Sequence, residues 1–109
     1  MIIVSRKGLL GEPEAEIRRL RALLNDLEQI AVGYQPGAEL SDAPFLDDYT
    51  PSFRWEPCLT GLVQRHPIVR GPAIQTSGLW AYSPDLGFAR TLSRYYRLGR
   101  PLNKGGGVQ

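Results

Sequence analysis

The stretch Leu79-Trp80-Ala81-Tyr82-Ser83-Pro84-Asp85-Leu86-Gly87-Phe88-Ala89-Arg90-Thr91-Leu92-Ser93-Arg94-Tyr95-Tyr96-Arg97-Leu98 decides how this chain folds. Runs rich in aromatic and β-branched residues flank Ser83-Pro84-Asp85-Leu86-Gly87. Proline presets φ for a turn, aspartate bonds nearby backbone, and glycine accepts a positive φ. The pattern predicts a β-hairpin with a loop of about five residues. A helix competes over 88–98. Arg90, Arg94 and Arg97 follow i, i+4, i+7, as do Phe88, Leu92 and Tyr95, so each set forms a helical stripe, with Ser83-Pro84 as N-cap and first residue. Gly87 in the first turns, and Thr91, Tyr95 and Tyr96, favour strand instead. A strand would put Phe88, Arg90, Leu92, Arg94, Tyr96 and Leu98 on one face. Strand is the reading adopted, with helix as its alternative.

Upstream, Ala73–Ser77 and Cys58–Gln64 read as further strands, the latter ended by His66-Pro67, with a turn at Arg70-Gly71-Pro72. Gly78 suggests a bulge. Residues 34–57 contain Pro36, Pro44, Pro51 and Pro57 and read as an irregular connection, with one helical turn near 41–46. Phe45, Leu46, Tyr49, Phe53 and Trp55 are expected to pin it across the core. Residues 13–32 carry the firmest pattern. Pro13 suits the first position of a helix and Glu14 and Glu16 its positive end. Ile17, Leu20, Leu24, Leu27 and Ala31 make one apolar stripe, and Gly33 is a natural C′ residue. Residues 2–4 are a short edge strand or a disordered start, 8–11 a loop, and 103–109 a mobile tail. The expectation is one α+β domain over 1–102: an N-terminal amphipathic helix packed on a small antiparallel sheet of three to four strands, drawn from a β region over 58–99 and ending in a C-terminal hairpin.

Composition narrows the class. The 109 residues suffice for one small domain, and 42% hydrophobic with 22% charged residues is ordinary for a globular chain. No apolar run approaches the ~20 residues of a membrane span. Met1-Ile2-Ile3-Val4 meets Ser5-Arg6-Lys7 too soon to be a signal-peptide core. The single cysteine, Cys58, precludes an internal disulfide and fits a reducing compartment. A cytoplasmic location is expected. The net charge of +2 hides a split: residues 1–50 carry five Lys/Arg against nine Asp/Glu, and residues 51–109 carry eight against two. That asymmetry implies an acidic partner for the basic half or neutralisation between the halves.

Catalytic chemistry finds little material. Cys58 and His66 are the only residues of their types and so form the one Cys–His dyad available, with no glycine-rich nucleophile or oxyanion motif around either. A lone strand cysteine is usually a small buried hydrophobe, and a histidine before proline usually bonds local backbone. One His and one Cys do not make a zinc set, and Asp42, Asp47 and Asp48 match no calcium loop. No cofactor, metal or catalytic residue is assigned.

The stronger candidate is Arg90, Arg94, Tyr95, Arg97 and Arg100. Guanidinium groups clamp phosphate or carboxylate, tyrosine stacks on bases, and both types recur at protein hot spots. The bland alternative pairs these arginines with carboxylates of the helix, Glu14, Glu16, Asp26 and Glu28. The stripe Ile17, Leu20, Leu24, Leu27 either packs on the domain's own sheet or forms a helix interface, including that of a homodimer.

Thr76-Ser77-Gly78-Leu79-Trp80 and Ala89-Arg90-Thr91-Leu92-Ser93-Arg94-Tyr95-Tyr96-Arg97-Leu98-Gly99, with Leu59-Thr60-Gly61 and His66-Pro67, resemble a family of small bacterial proteins of unknown function over roughly residues 40–102. The resemblance implies an intact small domain and supplies no active site. The function expected is a non-enzymatic regulator or adaptor that binds a protein, such as a transcription or nucleoprotein component, through its basic aromatic C-terminal region. Direct DNA or RNA binding is the alternative, and an enzyme using His66 and Cys58 the third class.

Overall fold

The computed structural model describes residues 1–68 and 71–102; Arg70 of the turn expected at Arg70-Gly71-Pro72 and the tail at 103–109 lie outside them. The chain is α+β, and it divides into two compact units, Met1–Glu12 with Glu56 onward, and Pro13–Trp55.

The first unit holds the strands: β1 (Ile2–Ser5), β2 (Gly8–Leu10), β3 (Thr60–Leu62), β4 (Ala73–Gln75), β5 (Leu79–Ser83), β6 (Phe88–Thr91) and β7 (Tyr95–Arg97). They form a five-stranded sheet in the order β2-β1-β5-β6-β7 and a separate pair β3-β4. The expectation of three to four antiparallel strands is corrected on both counts. Residues 8–10, expected as loop, are the edge strand, and residues 2–5 lie inside the sheet, antiparallel to β2 and parallel to β5. Strands this short carry too few residues to display alternation, so their pairing decides them.

The hairpin at the C-terminal side is present. Ser83 pairs with Phe88 around a loop at residues 84–87. Gly87 adopts φ +80 and donates its N–H to the Ser83 carbonyl at 2.8 Å. Only a residue free of Cβ strain takes that φ cheaply. The Ser83 hydroxyl, buried, accepts the Leu86 N–H at 3.2 Å, supplying the side-chain bond expected of Asp85.

The continuous strand expected over 88–98 is corrected: it breaks at Leu92-Ser93-Arg94, and β6 and β7 form a second antiparallel hairpin. Thr91 causes the break. Its Oγ1 accepts the N–H groups of Ser93 and Arg94, each at 3.2 Å, and its own N–H bonds the Arg94 carbonyl at 2.9 Å. Threonine offering its hydroxyl to backbone two and three residues on competes with ladder pairing. The bulge suggested at Gly78 falls instead between Leu79 and Ala81, at Trp80.

Register places Leu10, Ile3, Tyr82, Ala89 and Tyr96 in one row across all five strands. Ala89 is wholly buried between two tyrosines, and Leu79, Ser83 and Thr91 are buried beside it. Cross-strand pairs of this kind contribute roughly 0.2–1 kcal/mol each.

The second unit contains α1 (Pro13–Ala31) and α2 (Ala38–Asp42). α1 follows its sequence signals, with Glu14 and Glu16 in the first turn. Its end is a Schellman closure: Gly33, at φ +100, donates to the Ile30 carbonyl and Tyr34 to the Gln29 carbonyl, both at 3.0 Å. The helical turn expected near 41–46 lies earlier. Pro44 forces Ala43 into extended backbone (φ −73, ψ 147), which stops α2 at Asp42. Phe45, Leu46, Tyr49, Phe53 and Trp55, expected to pin the connection, are exposed instead. Prolines at 44, 51 and 57 remove backbone donors, so this run forms no ladder or helix to present one apolar side.

Candidate functional site

The arginine-tyrosine set divides between two places. Alternation and pairing put Phe88, Arg90, Tyr95 and Arg97 on one face of the β6–β7 hairpin, with Arg90 directly opposite Tyr95 and Phe88 opposite Arg97. The Arg90 guanidinium lies over the Tyr95 ring, 5.2 Å from its centroid. Phe88 meets the same ring edge-on at 6.3 Å. A cation over an aromatic face contributes about 0.5–1 kcal/mol at an exposed site, and an edge-to-face pair about as much. Tyr95 remains 69% exposed and Arg97 is exposed, so the cluster is a ledge ordered by its own stacking and open to solvent. Arg100 is exposed beyond the end of β7.

Arg94 lies elsewhere. It sits in the Thr91 turn and lines a cavity of about 220 Å³ with His66, Thr76, Ser77, Ser93 and Tyr96, with Ile68 and Ile74 as apolar lining. The cavity lies between β4 and the β6–β7 hairpin. The Arg94 Nε is buried without a hydrogen-bond partner among the described residues. The hydroxyls of Ser77 and Ser93 stand 2.9 Å apart, and Ser77 Oγ also accepts the Ser93 N–H at 3.2 Å. These bonds, with the Leu92 N–H on the Gly78 carbonyl at 2.8 Å, fasten the second hairpin turn to the start of β5.

His66 and Cys58 occupy different hydrogen-bond settings. His66 Nε2 is 3.2 Å from the Tyr96 hydroxyl and its Nδ1 accepts the Ile68 N–H at 3.1 Å. A ring whose Nδ1 accepts carries its proton on Nε2, so His66 donates to Tyr96. Arg65, at φ +59, makes the left-handed turn immediately before it. Cys58 Sγ accepts from the Gln75 amide at 3.4 Å and is absent from the lining of the cavity His66 enters. No group of three or more His, Cys, Asp or Glu among the described residues is placed to hold a metal.

The other candidate set stands on α1. No residue of that helix is buried, and Leu24 and Leu27 are more than half exposed, with Ile17 exposed and Leu20 half-buried. Among the described residues no helix is long and apolar enough to cross a membrane.

Sequence reasoning singled out Arg94 and His66 but missed Ser77 and Ser93, and with them the cavity. The available signal was local: Thr91-Leu92-Ser93-Arg94 has a hydroxyl placed to accept the N–H groups two and three residues on, which marks a turn inside an apparently continuous strand.

The chain belongs to a family of unknown function (DUF6634), whose model matches residues 20–105. No curated protein and no solved structure matches the chain.

Proposed function

We propose that this protein is a small, non-enzymatic cytoplasmic adaptor that binds another protein through the ledge formed by Phe88, Arg90, Tyr95 and Arg97. The observation that carries this reading is the stacking of Arg90 on Tyr95 and of Tyr95 on Phe88 at an exposed sheet face. Arginine and tyrosine are the residue types most enriched at hot spots, and prior ordering reduces the entropy lost on binding. Exposed Leu86 and Leu92 at the adjoining turns add apolar surface of the kind a protein partner covers. A partner with a carboxylate-rich patch suits the excess of arginine in this half of the chain.

Direct nucleic-acid binding is the second reading, supported by the exposed Tyr95 ring with Arg90 over it and Arg97 on the same face. It is the weaker one because Arg94 lines the cavity and leaves the arginine row interrupted. The engagement of both His66 nitrogens and of the Cys58 thiol favours a non-enzymatic role over the third class.

One experiment separates the first two readings. Affinity capture from the native host is run beside fluorescence anisotropy with labelled DNA and RNA at low and moderate salt. Capture of a partner that is lost with Tyr95→Ala/Arg97→Ala, without nucleic-acid binding, is the expected result. Micromolar nucleic-acid binding that falls steeply with salt would move the assignment to the second reading. Capture unaffected by the double substitution would overturn the ledge as the site.

A further inference from the structure

We infer that the cavity beside Arg94 is a binding site for a phosphate group, with the Arg94 guanidinium as its anchor and the hydroxyls of Ser77, Ser93 and Tyr96 as its remaining donors.

The starting point is the buried, unpartnered Arg94 Nε. An unmade bond at such a group is costly, and more so when the group is charged, so native chains rarely leave one without a role. Arg94 as a whole is only half-buried, and no described residue lining the cavity is acidic, so no carboxylate of the lining neutralises the guanidinium. An oxyanion in the cavity would supply that counter-charge. The edge of a guanidinium presents parallel N–H groups that match two oxygens of a phosphate or carboxylate.

The hydroxyls select between those two. The Ser77–Ser93 pair shares one hydrogen bond, and either way round it leaves one of their two hydroxyl hydrogens available. Because His66 donates Nε2–H to the Tyr96 oxygen, the Tyr96 hydroxyl hydrogen is likewise left to point at another acceptor. Three separate donors, the guanidinium, the serine pair and Tyr96, match the three terminal oxygens of a phosphate monoester better than the two of a carboxylate. The volume of about 220 Å³ accepts a phosphate with a few further atoms and is small for a nucleotide or a drug-sized ligand. Ile68 and Ile74 supply the apolar part of the lining. The site shares no residue with the partner ledge, so either can stand without the other.

The test is a titration of the ¹⁵N-labelled full chain with inorganic phosphate and with O-phosphoserine, against sodium chloride at matched ionic strength and against acetate. The expected result is saturable shifts at Ser77, Ser93 and the Arg94 Nε–H, absent with chloride and weaker with acetate. Arg94→Gln should weaken binding tenfold or more, and Arg97→Gln should leave it within about twofold, since only the former loses a charge-assisted bond. If Arg94→Gln fails to fold, Ser93→Ala serves in its place with a loss of about three- to tenfold. Tighter binding of O-phosphoserine identifies a phosphate monoester as the ligand, and tighter binding of inorganic phosphate identifies the free ion. No saturation beyond chloride, equal binding by Arg94→Gln, or acetate binding as well as phosphate would each overturn the site.

Discussion

At the scale of single residues, Thr91 does more than its composition class suggests. It is only 1% exposed, and its hydroxyl serves both as acceptor for Ser93 and Arg94 N–H groups and as donor to the Arg94 carbonyl. This hydroxyl converts one long strand into two short ones and thereby separates Arg94 from the face that Arg90 and Arg97 share. Valine has nearly the same shape but leaves those backbone donors unmet. Thr91→Val is therefore expected to destabilise the chain by about 1–3 kcal/mol, and Thr91→Ser by clearly less, because the hydroxyl is retained. Urea unfolding of the three chains checks this, and equal stability of Thr91→Val and wild type would remove the turn from its assigned role. Ala89 makes a complementary point. Its missing side-chain bulk is what lets Tyr82 and Tyr96 flank it in one cross-strand row.

At the scale of elements, the legible parts were those whose signals are local and redundant. Residues 13–31 combine proline, acidic first turn, apolar stripe and glycine stop, and each acts through its own backbone or near neighbours. The hairpin at 84–87 was legible for the same reason. The edge strand Gly8–Leu10 and the interior position of Ile2–Ser5 were not, since a three-residue strand exists only by virtue of its partner and nothing in Gly-Leu-Leu names that partner. The cavity was illegible for a related reason: His66, Ser77 and Arg94 meet only after two hairpins close. α2 shows how a small element is fixed. Tyr34 donates its hydroxyl to both carboxylate oxygens of Glu39 at 2.8 Å, and Glu39 also accepts the Gly37 N–H at 3.2 Å. Glu39 is held below the ordinary carboxylate range by its own backbone N–H, by Tyr34 and by Gly37, while its hydrogen bond holds Tyr34 above the ordinary tyrosine range. A depressed carboxyl pKa contributes stability above about pH 4.5 that is lost as pH falls through the folded value, and a raised phenol pKa contributes stability below about pH 10 that is lost as pH rises through it. The arrangement is thus most favourable between those limits. An NMR titration of the Tyr34 ring is expected to show ionisation above pH 10.0 in the wild type and a return toward that value in Glu39→Gln. Identical titrations in both chains would mean that the contact does not persist in solution.

At the scale of the whole molecule, the open question is what covers α1. A helix of 19 residues draws most of its stability in a protein from packing an apolar face, because nucleation is costly. Within the 13–55 unit nothing buries that face: Leu23, Leu24, Leu27 and Ile30 are each more than half exposed. Covering the half of each such side chain that remains in water would contribute roughly 1 kcal/mol apiece. Ile17, Leu20, Leu24 and Leu27 recur at the spacing that pairs two helices, so a second copy of the chain offers a matching face without any further component. If the stripe makes a homodimer, unfolding couples to dissociation and the melting temperature depends on concentration. A hundredfold dilution then corresponds to about 2.7 kcal/mol and lowers the midpoint by several degrees. Leu24→Glu/Leu27→Glu is expected to abolish this dependence and to yield a monomer by light scattering, because like charges would face each other across the seam. A midpoint constant over the same dilution in the wild type would exclude the homodimer. It would leave the stripe to a different protein, whose capture would then respond to Leu24→Glu/Leu27→Glu rather than to Tyr95→Ala/Arg97→Ala.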